Sequence, residues 1–262
     1  MQPEERQQRI EEYLLQVEFA SLDELSEQVD ASTSTVRRDL QILESKGVLR
    51  RTHGGARLAN PKSDEFAFSA RDTQHSLEKE SIGQACTALI QPGQTVILDA
   101  GSTVFHVAKH LEQKAPQVFT NSLPVANLYA PNPRLEVVLS GGVIYPRLGV
   151  LVGPLAVESF SKIHVDVAIM SSGGVDAEGI SNSHGLLIDI QRQMIRAANR
   201  VIFCLDHSKL GRRSLSPLCS LEEVDVIVTD SQAAADPVAM LKQRGIQVVV
   251  APALGKAAAE PA

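Results

Sequence analysis

Cysteine is scarce in the 262-residue chain: Cys86, Cys204 and Cys219 stand far apart in sequence. Three is an odd number and no CxxC pair occurs, which argues against a disulfide framework and a zinc knuckle. Long apolar runs are missing too: no stretch approaches the roughly 18 consecutive apolar residues of a membrane span. Residues 1–10 are polar and charged, with no basic segment leading into an apolar one, so no signal peptide is expected. The expectation is a cytoplasmic protein with no membrane partner. Catalytic signatures are also lacking. There is no GxxxxGK(S/T) phosphate loop, no GxGxxG fingerprint and no GxSxG elbow. Among the histidines, only His106 and His110 stand at i, i+4. With no third ligand evident they read as a partly exposed helix face, and neither metal nor cofactor is expected.

Hydrophobic residues make up 44% of the chain, enough for a real core. The length suits one large domain, or one small domain plus one medium. The net charge of -6 looks wrong for a nucleic-acid binder, but a binding face is local. Residues 36–57 carry six basic groups (Arg37, Arg38, Lys46, Arg50, Arg51, Arg57) against two acidic ones (Asp39, Glu44). Residues 1–31 carry two basic against nine acidic. Charge is therefore segregated along the chain.

Three helical patterns open the sequence. Ile10, Tyr13, Leu14 and Val17 form one apolar face, and Leu22, Leu25 and Val29 a second. Ser21 and Glu24 have capping-box spacing. Val36, Leu40 and Leu43 form the third face, with Ser32 as its N-cap and Gly47 as its stop. Only Asp30-Ala31 separates the second pattern from the third, which is helix-turn-helix spacing. In that motif the start of the second helix faces base edges in the major groove. Here those residues are Ser32, Thr33, Ser34, Thr35, Arg37 and Arg38. Hydroxyls allow close approach, and arginine grips phosphate or pairs with guanine. Residues 48–58 read as a basic hairpin around Gly54-Gly55, a wing whose Arg51, His53, Gly54 and Gly55 approach DNA.

The run Ser32-Thr33-Ser34-Thr35-Val36-Arg37-Arg38-Asp39-Leu40, followed by Leu49-Arg50-Arg51-Thr52-His53-Gly54-Gly55-Ala56, resembles the N-terminal signature of the DeoR family of bacterial regulators. The expected organisation is a winged helix-turn-helix over 1–58, a linker over 59–76, a sensor domain over 77–252 and a flexible tail over 253–262. Proline at 61 marks the linker, and Phe66 and Phe68 are expected to dock on a domain. A helix is predicted over 77–89 from Leu77, Ile82, Ala85, Cys86 and Leu89.

Beyond it, short β-branched runs alternate with helical stretches. Strands are predicted at 95–99, 117–120, 135–140, 165–170, 201–205, 224–229 and 246–250. Helices are predicted at 103–113, 124–129, 154–162, 187–198 and 233–244. This is an α/β pattern with a mainly parallel sheet. Ligands bind beyond the carboxyl ends of such strands. There lie Asp99, Gly101, Ser102 and Thr103; Asn121, Ser122 and Leu123; Gly141 and Gly142; Gly173; and Asp206 and Lys209. The loop from Asp99 into a helix has the makings of an anion site.

These segments also resemble the family. The resemblance spans about residues 4 to 250 and implies a sensor domain similar in fold to ribose-5-phosphate isomerase. It implies a phosphosugar or polyol phosphate as effector, which weakens DNA binding. Two departures stand out: Gln191 where the family commonly has lysine, and Ser171-Ser172 where a glycine–alanine pair is usual. The function expected is a carbohydrate-operon repressor, acting as a dimer or tetramer on operator double-stranded DNA. The alternatives are an activator or a regulator answering a nucleoside or unphosphorylated sugar, and an isomerase with a DNA-binding head. For the last, Asp99, Asp176, Asp206 and Lys209 are chemically able groups.

Overall fold

The chain forms two compact units, residues 1–65 and 66–262. The computed structural model describes residues 2–16, 20–52, 54–58, 67–114 and 117–254. No described helix is long and apolar enough to cross a membrane.

The first unit comprises α1 (Pro3–Gln16), β1 (Ala20–Ser21), α2 (Leu22–Val29), α3 (Thr33–Ser45), β2 (Leu49–Thr52) and β3 (Gly55–Leu58). The capping box is present: the Glu24 N–H donates to Ser21 Oγ at 3.2 Å, and the Ser21 N–H donates to the Glu24 carboxylate at 2.7 Å. Asp30 takes a left-handed backbone, φ 46°, which ends α2. Ser32 then caps α3. Gly47, at φ 72°, ends α3 where a side chain would be strained. Ile10, Leu25, Val36, Leu40 and Leu49 close the core together. Val17, predicted on the same face as Ile10, lies outside the described residues. The β2–β3 hairpin forms as expected, with Thr52 opposite Gly55. β1 pairs with β3 and makes a third strand. Two residues hold no period, so the sequence pattern had no signal for it.

One polar network braces this core. Asp39, in the middle of α3, is buried and accepts from Arg6 Nε at 2.5 Å, Arg6 Nη2 at 3.2 Å and Gln7 Nε2 at 3.2 Å. It ties α3 to α1.

The second unit opens with α4 (Phe68–Thr73), inside the stretch read as linker, and α5 (Ser76–Ala88). Then follow β4 (Thr95–Leu98), α6 (Ser102–Leu111), β5 (Gln117–Thr120), α7 (Leu123–Tyr129), β6 (Glu136–Leu139), β7 (Val143–Tyr145) and β8 (Val150–Val152). The rest is α8 (Pro154–Ser161), β9 (Val165–Met170), β10 (Gly174–Asp176), β11 (Gly179–Asn182), α9 (Gly185–Arg196), β12 (Ala198–Cys204), β13 (Ser216–Cys219), β14 (Val226–Asp230), α10 (Ala235–Gln243) and β15 (Gln247–Ala251).

All seven predicted strands enter one sheet, in the order β15-β14-β12-β9-β4-β5-β6. Every neighbouring pair is parallel. The chain winds outward from β4 through β5 to β6, then returns beside β4 as β9 and winds the other way. The direction of winding therefore reverses between β4 and β9. Both sheet faces are covered, so the central strands are apolar throughout rather than alternating. In β4, Val96 and Leu98 face one cluster and Ile97 the other; in β9, Val167 and Ile169 oppose Ala168 and Met170.

Several expectations need correction. The helix predicted over 187–198 ends at Arg196, because Ala198 already pairs with Val165 as the first residue of β12. The β7–β8 hairpin and the small sheet β10-β11-β13 were not predicted. Cys86 and Cys204, remote in sequence, share one core cluster as free thiols. There burial, reinforced by the Cys86 thiol, pushes the Cys204 thiol up. Phe68 docks edge-on against Phe105 with centroids 5.3 Å apart, whereas Phe66 lies outside the described residues.

Replacing Asp39 by Ala should destabilise the first unit by about 2–3 kcal/mol, since it removes the buried acceptor that Arg6 and Gln7 share. Urea unfolding of the whole protein, followed by residue-resolved hydrogen exchange over α1 and α3, measures it. Unchanged protection in both helices would show that the network is idle.

Candidate functional site

Two surfaces carry the residues singled out by the sequence. The first lies at the start of α3. The Ser32 hydroxyl accepts from the Thr35 N–H at 3.3 Å and lies 2.9 Å from both Ser34 Oγ and Thr35 Oγ1. This fixes the cap but uses up part of the hydroxyls' bonding capacity. Thr33 and Ser34 are exposed, as are Arg37 and Arg38. Between them Val36 and Leu40 are buried, so the helix is locked by one face and presents the other. Neither Arg37 nor Arg38 enters an ion pair among the described residues. Both guanidinium groups are available to an anion.

The wing is placed differently from expectation. Arg51 is held by Glu44: its backbone N–H donates at 2.9 Å and its Nε at 2.6 Å. These bonds, the backbone one foremost, hold the Glu44 carboxyl below its usual range. Arg51 thus braces the wing against α3, and a groove of about 480 Å³ runs between them, lined in part by Arg37, Glu44, Arg51 and Thr52. Gly55 is buried inside β3, opposite Ser21 and Thr52, so it belongs to the sheet and not to an open tip. Gly54 is exposed. His53 lies outside the described residues.

The second surface is the carboxyl edge of the parallel sheet, centred where the winding reverses between β4 and β9. A doubly wound sheet opens a crevice at such a point. Asp99 stands at that point, just past β4. It is 3% exposed and accepts from the Ser171 N–H at 3.0 Å, Ser171 Oγ at 3.3 Å and Gln191 Nε2 at 2.9 Å. Burial pushes the Asp99 carboxyl up, against these donors. Gln191 also donates to the Ser171 carbonyl at 3.1 Å and accepts from Asn182 Nδ2 at 2.8 Å. The two departures flagged in the sequence, Gln191 and Ser171, therefore bind the same carboxylate.

Gly101 precedes α6 with no side chain capping it. A Cβ built there would lie 1.7 Å from Ser171 Oγ, so this glycine is required by its neighbour across the crevice. Ser102 and Thr103, both buried, open α6 at the helix's positive end. After β5, Thr120 Oγ1 donates to the Leu98 carbonyl at 2.7 Å and accepts from the Ser122 N–H at 3.0 Å. Asn121 is 1% exposed: its Nδ2 donates to the Leu151 carbonyl at 3.1 Å, and its Oδ1 has no partner among the described residues. Ser122 caps α7, and Leu123 donates its N–H to the Gly149 carbonyl.

Two further predicted glycines have packing reasons. A Cβ on Gly142 would lie 2.6 Å from the Val152 carbonyl, and one on Gly173 would lie 2.4 Å from Ser214 Oγ. Gly141 is exposed and donates to Ser159 Oγ at 3.2 Å.

Beyond β12, Asp206 is buried and accepts from the Ser208 N–H at 3.0 Å and Ser208 Oγ at 2.5 Å. Burial lowers the half-buried Lys209 amine while Asp206 opposes it. Next to them is a residue that sequence reading missed. Lys79 of α5 is 3% exposed, and burial lowers its amine to about 8 against the pull of Asp206 and Asp72. Its Nζ donates to the Arg71 carbonyl. A signal was present: position 79 precedes Ile82 by three and Cys86 by seven, on the helix's inner face. Leu77, assigned to that face instead, is 64% exposed. His207 is pinned nearby, Nδ1 3.1 Å from Asp230 Oδ1 and edge-on to His75. His106 corrects another expectation, since it is buried and not on an exposed face.

The family description of a DeoR-like helix-turn-helix domain matches residues 6–62, and that of the DeoR C terminal sensor domain matches residues 74–231. The chain is similar to the HTH-type transcriptional repressor GlcR of Bacillus subtilis, 34% identical over 95% of this chain and 97% of that one. It is similar to the HTH-type transcriptional regulator GolR of Listeria innocua, 33% identical over 88% and 92%. It is also similar to the L-fucose operon activator of Escherichia coli, 30% identical over 88% and 96%. Among solved structures, ribose 5-phosphate isomerase A from Methanocaldococcus jannaschii is 16% identical, covering 50% of this chain and 52% of its own, at a TM-score of 0.37. With a winged helix-turn-helix and a parallel-sheet sensor unit both matched, the chain belongs to the DeoR family of DNA-binding transcriptional regulators.

Proposed function

We propose that the protein represses a carbohydrate-use operon and leaves its operator when a phosphorylated sugar or polyol occupies the crevice of the sensor unit. The observation that carries the effector reading is Lys79, an amine almost wholly withdrawn from water beside Asp206 and Lys209. A buried cation is costly unless it is paired; Asp206 and Asp72 offset part of that cost, and a bound phosphate would offset more. In this reading the phosphate takes the first N–H groups of α6 and the hydroxyls of Ser102 and Thr103. Lys79 and Lys209 supply charge, and the unpartnered Asn121 Oδ1 accepts from a sugar hydroxyl. In this reading Asp99 is a bracing group, its Oδ2 engaged by Ser171 and Gln191. The relatives' names include a repressor and an operon activator, so activation is the second reading.

On DNA, Arg37 and Arg38 supply the main phosphate and base contacts, and Arg51 positions the wing through Glu44. Two heads in a dimer or tetramer would read half-sites about one helical turn apart. Release requires the effector to favour one state over the other; a factor of about 100 in operator affinity corresponds to about 2.7 kcal/mol of coupling.

Replacing Arg37 or Arg38 by Ala should weaken operator binding by about 1–3 kcal/mol and flatten its salt dependence. Fluorescence anisotropy on the protein's own upstream DNA reads this, and unchanged affinity removes the assignment. Adding sugar and polyol phosphates to the same complex tests release. Lys79→Met should keep operator binding and abolish release; release by the same compound at the same concentration would displace Lys79 from the site.

The Lys79 amine binds an anion in its charged form. Raising the pH through about 8 removes that charge, so effector affinity should fall as the pH rises through this value. Calorimetric titration at several pH values follows the trend, and a flat profile would contradict it.

A further inference from the structure

Residues 36–57 carry six basic side chains. Arg37 and Arg38 are exposed on α3, Lys46 Nζ donates to Gln7 Oε1 at 3.2 Å, and Arg51 is held by Glu44. Arg50 of β2 and Arg57 of β3 have no such place. The register of the hairpin sets them directly opposite each other. Residues so placed share one face of the sheet, with Cβ atoms about 4.5–5.5 Å apart. That face is the outer one, because Leu49 and Ala56, one residue back along each strand, point the other way and are buried in the core.

Both arginines are exposed, and neither enters an ion pair or a side-chain hydrogen bond among the described residues. Like charges directly across a strand pair repel each other and weaken the pairing. The nearby carboxylates are engaged elsewhere: Glu24 by the Ser21 N–H and hydroxyl, and Glu44 by Arg51. The hairpin therefore carries a repulsive pair that nothing in the first unit neutralises among the described residues.

The pair is continuous with the surface of α3. Thr52 and Gly55 face each other two residues along the same strands, so they share the outer face with Arg50 and Arg57. Thr52 and Gly55 also line the groove between α3 and the wing, together with Arg37. We propose that Arg50 and Arg57 clamp one backbone phosphate of duplex DNA beside the bases that α3 reaches. A phosphate between two guanidinium groups takes charge-assisted N–H bonds from both, and its charge turns their repulsion into shared attraction. The clamp adds grip without sequence preference, since a phosphate carries no base identity. It rests on the DNA-binding role of the first unit and is independent of the effector.

The test titrates the whole protein with its own upstream DNA and with a scrambled duplex of equal length. Arg50→Gln and Arg57→Gln should each weaken binding to both duplexes about tenfold. Each should also lower the slope of log affinity against log salt by about 1. The double variant should lose less than the two single losses multiplied, because the two side chains act on one phosphate. The unfolding midpoint of the free protein should hold or rise, since either substitution relieves the repulsion. Arg37→Ala serves as the control. A loss there with none at Arg50 and Arg57 would overturn the clamp and leave the reading of α3 intact, whereas no loss in any of the three would remove both. A loss confined to the upstream DNA would also overturn the clamp, by assigning the arginines to bases. So would a lower unfolding midpoint in both variants, which would assign them to the fold.

Discussion

The sensor unit is organised around a carboxyl group that its own fold has desolvated. Asp99 directly follows β4, where the winding of the doubly wound sheet reverses. A carboxylate there must be hydrogen-bonded or protonated. The surrounding chain supplies three donor contacts from β9's exit and α9 and no cation at ion-pair distance among the described residues. That choice propagates. Gln191 must present its amide to Asp99, so its oxygen is free for Asn182, and Asn182 in turn fixes the end of β11. One buried group thereby ties the parallel sheet to the small antiparallel sheet beside it.

The first unit solves a related problem in the opposite way. Asp39 is also buried, but there Arg6 answers it with a full charge. The difference follows from duty. α3 has to be held rigidly against α1 while it carries unpaired arginines on its outer face. A paired carboxylate on the inner face does that without subtracting from the positive surface. Glu44 braces the wing by engaging Arg51, and there one exposed positive charge is paired in doing so. The two acidic residues of 36–57 are therefore both engaged as braces, Asp39 with Arg6 and Glu44 with Arg51.

Much of this was legible in the sequence. Seven apolar, β-branched runs became seven parallel strands, because strands buried on both faces need no alternation to be seen. The caps at Ser21 and Ser32 and the stop at Gly47 were readable, since each rests on local backbone chemistry. Illegible were features that depend on distant partners. β1 holds only two residues and exists because β3 lies beside it. Gly55 looks like a turn residue until β1 covers it. Lys79 was passed over because a charged residue on an apolar face reads as an exception, although helical periodicity had already placed it inside. The spacing of His106 and His110 was noted, but their shared partner Glu80 comes from α5, and no spacing within α6 announces it.

The contact between Gly101 and Ser171 reaches beyond this one molecule. A side chain at 101 would collide with the hydroxyl at 171, and that hydroxyl is also one of the donors holding Asp99. The two positions are therefore not free to drift independently. A lineage can enlarge residue 101 only after residue 171 has shrunk, and shrinking it first takes a hydrogen bond from the buried carboxyl. The order of permitted changes is set by geometry, so the crevice can be remodelled along some mutational routes and is closed to others.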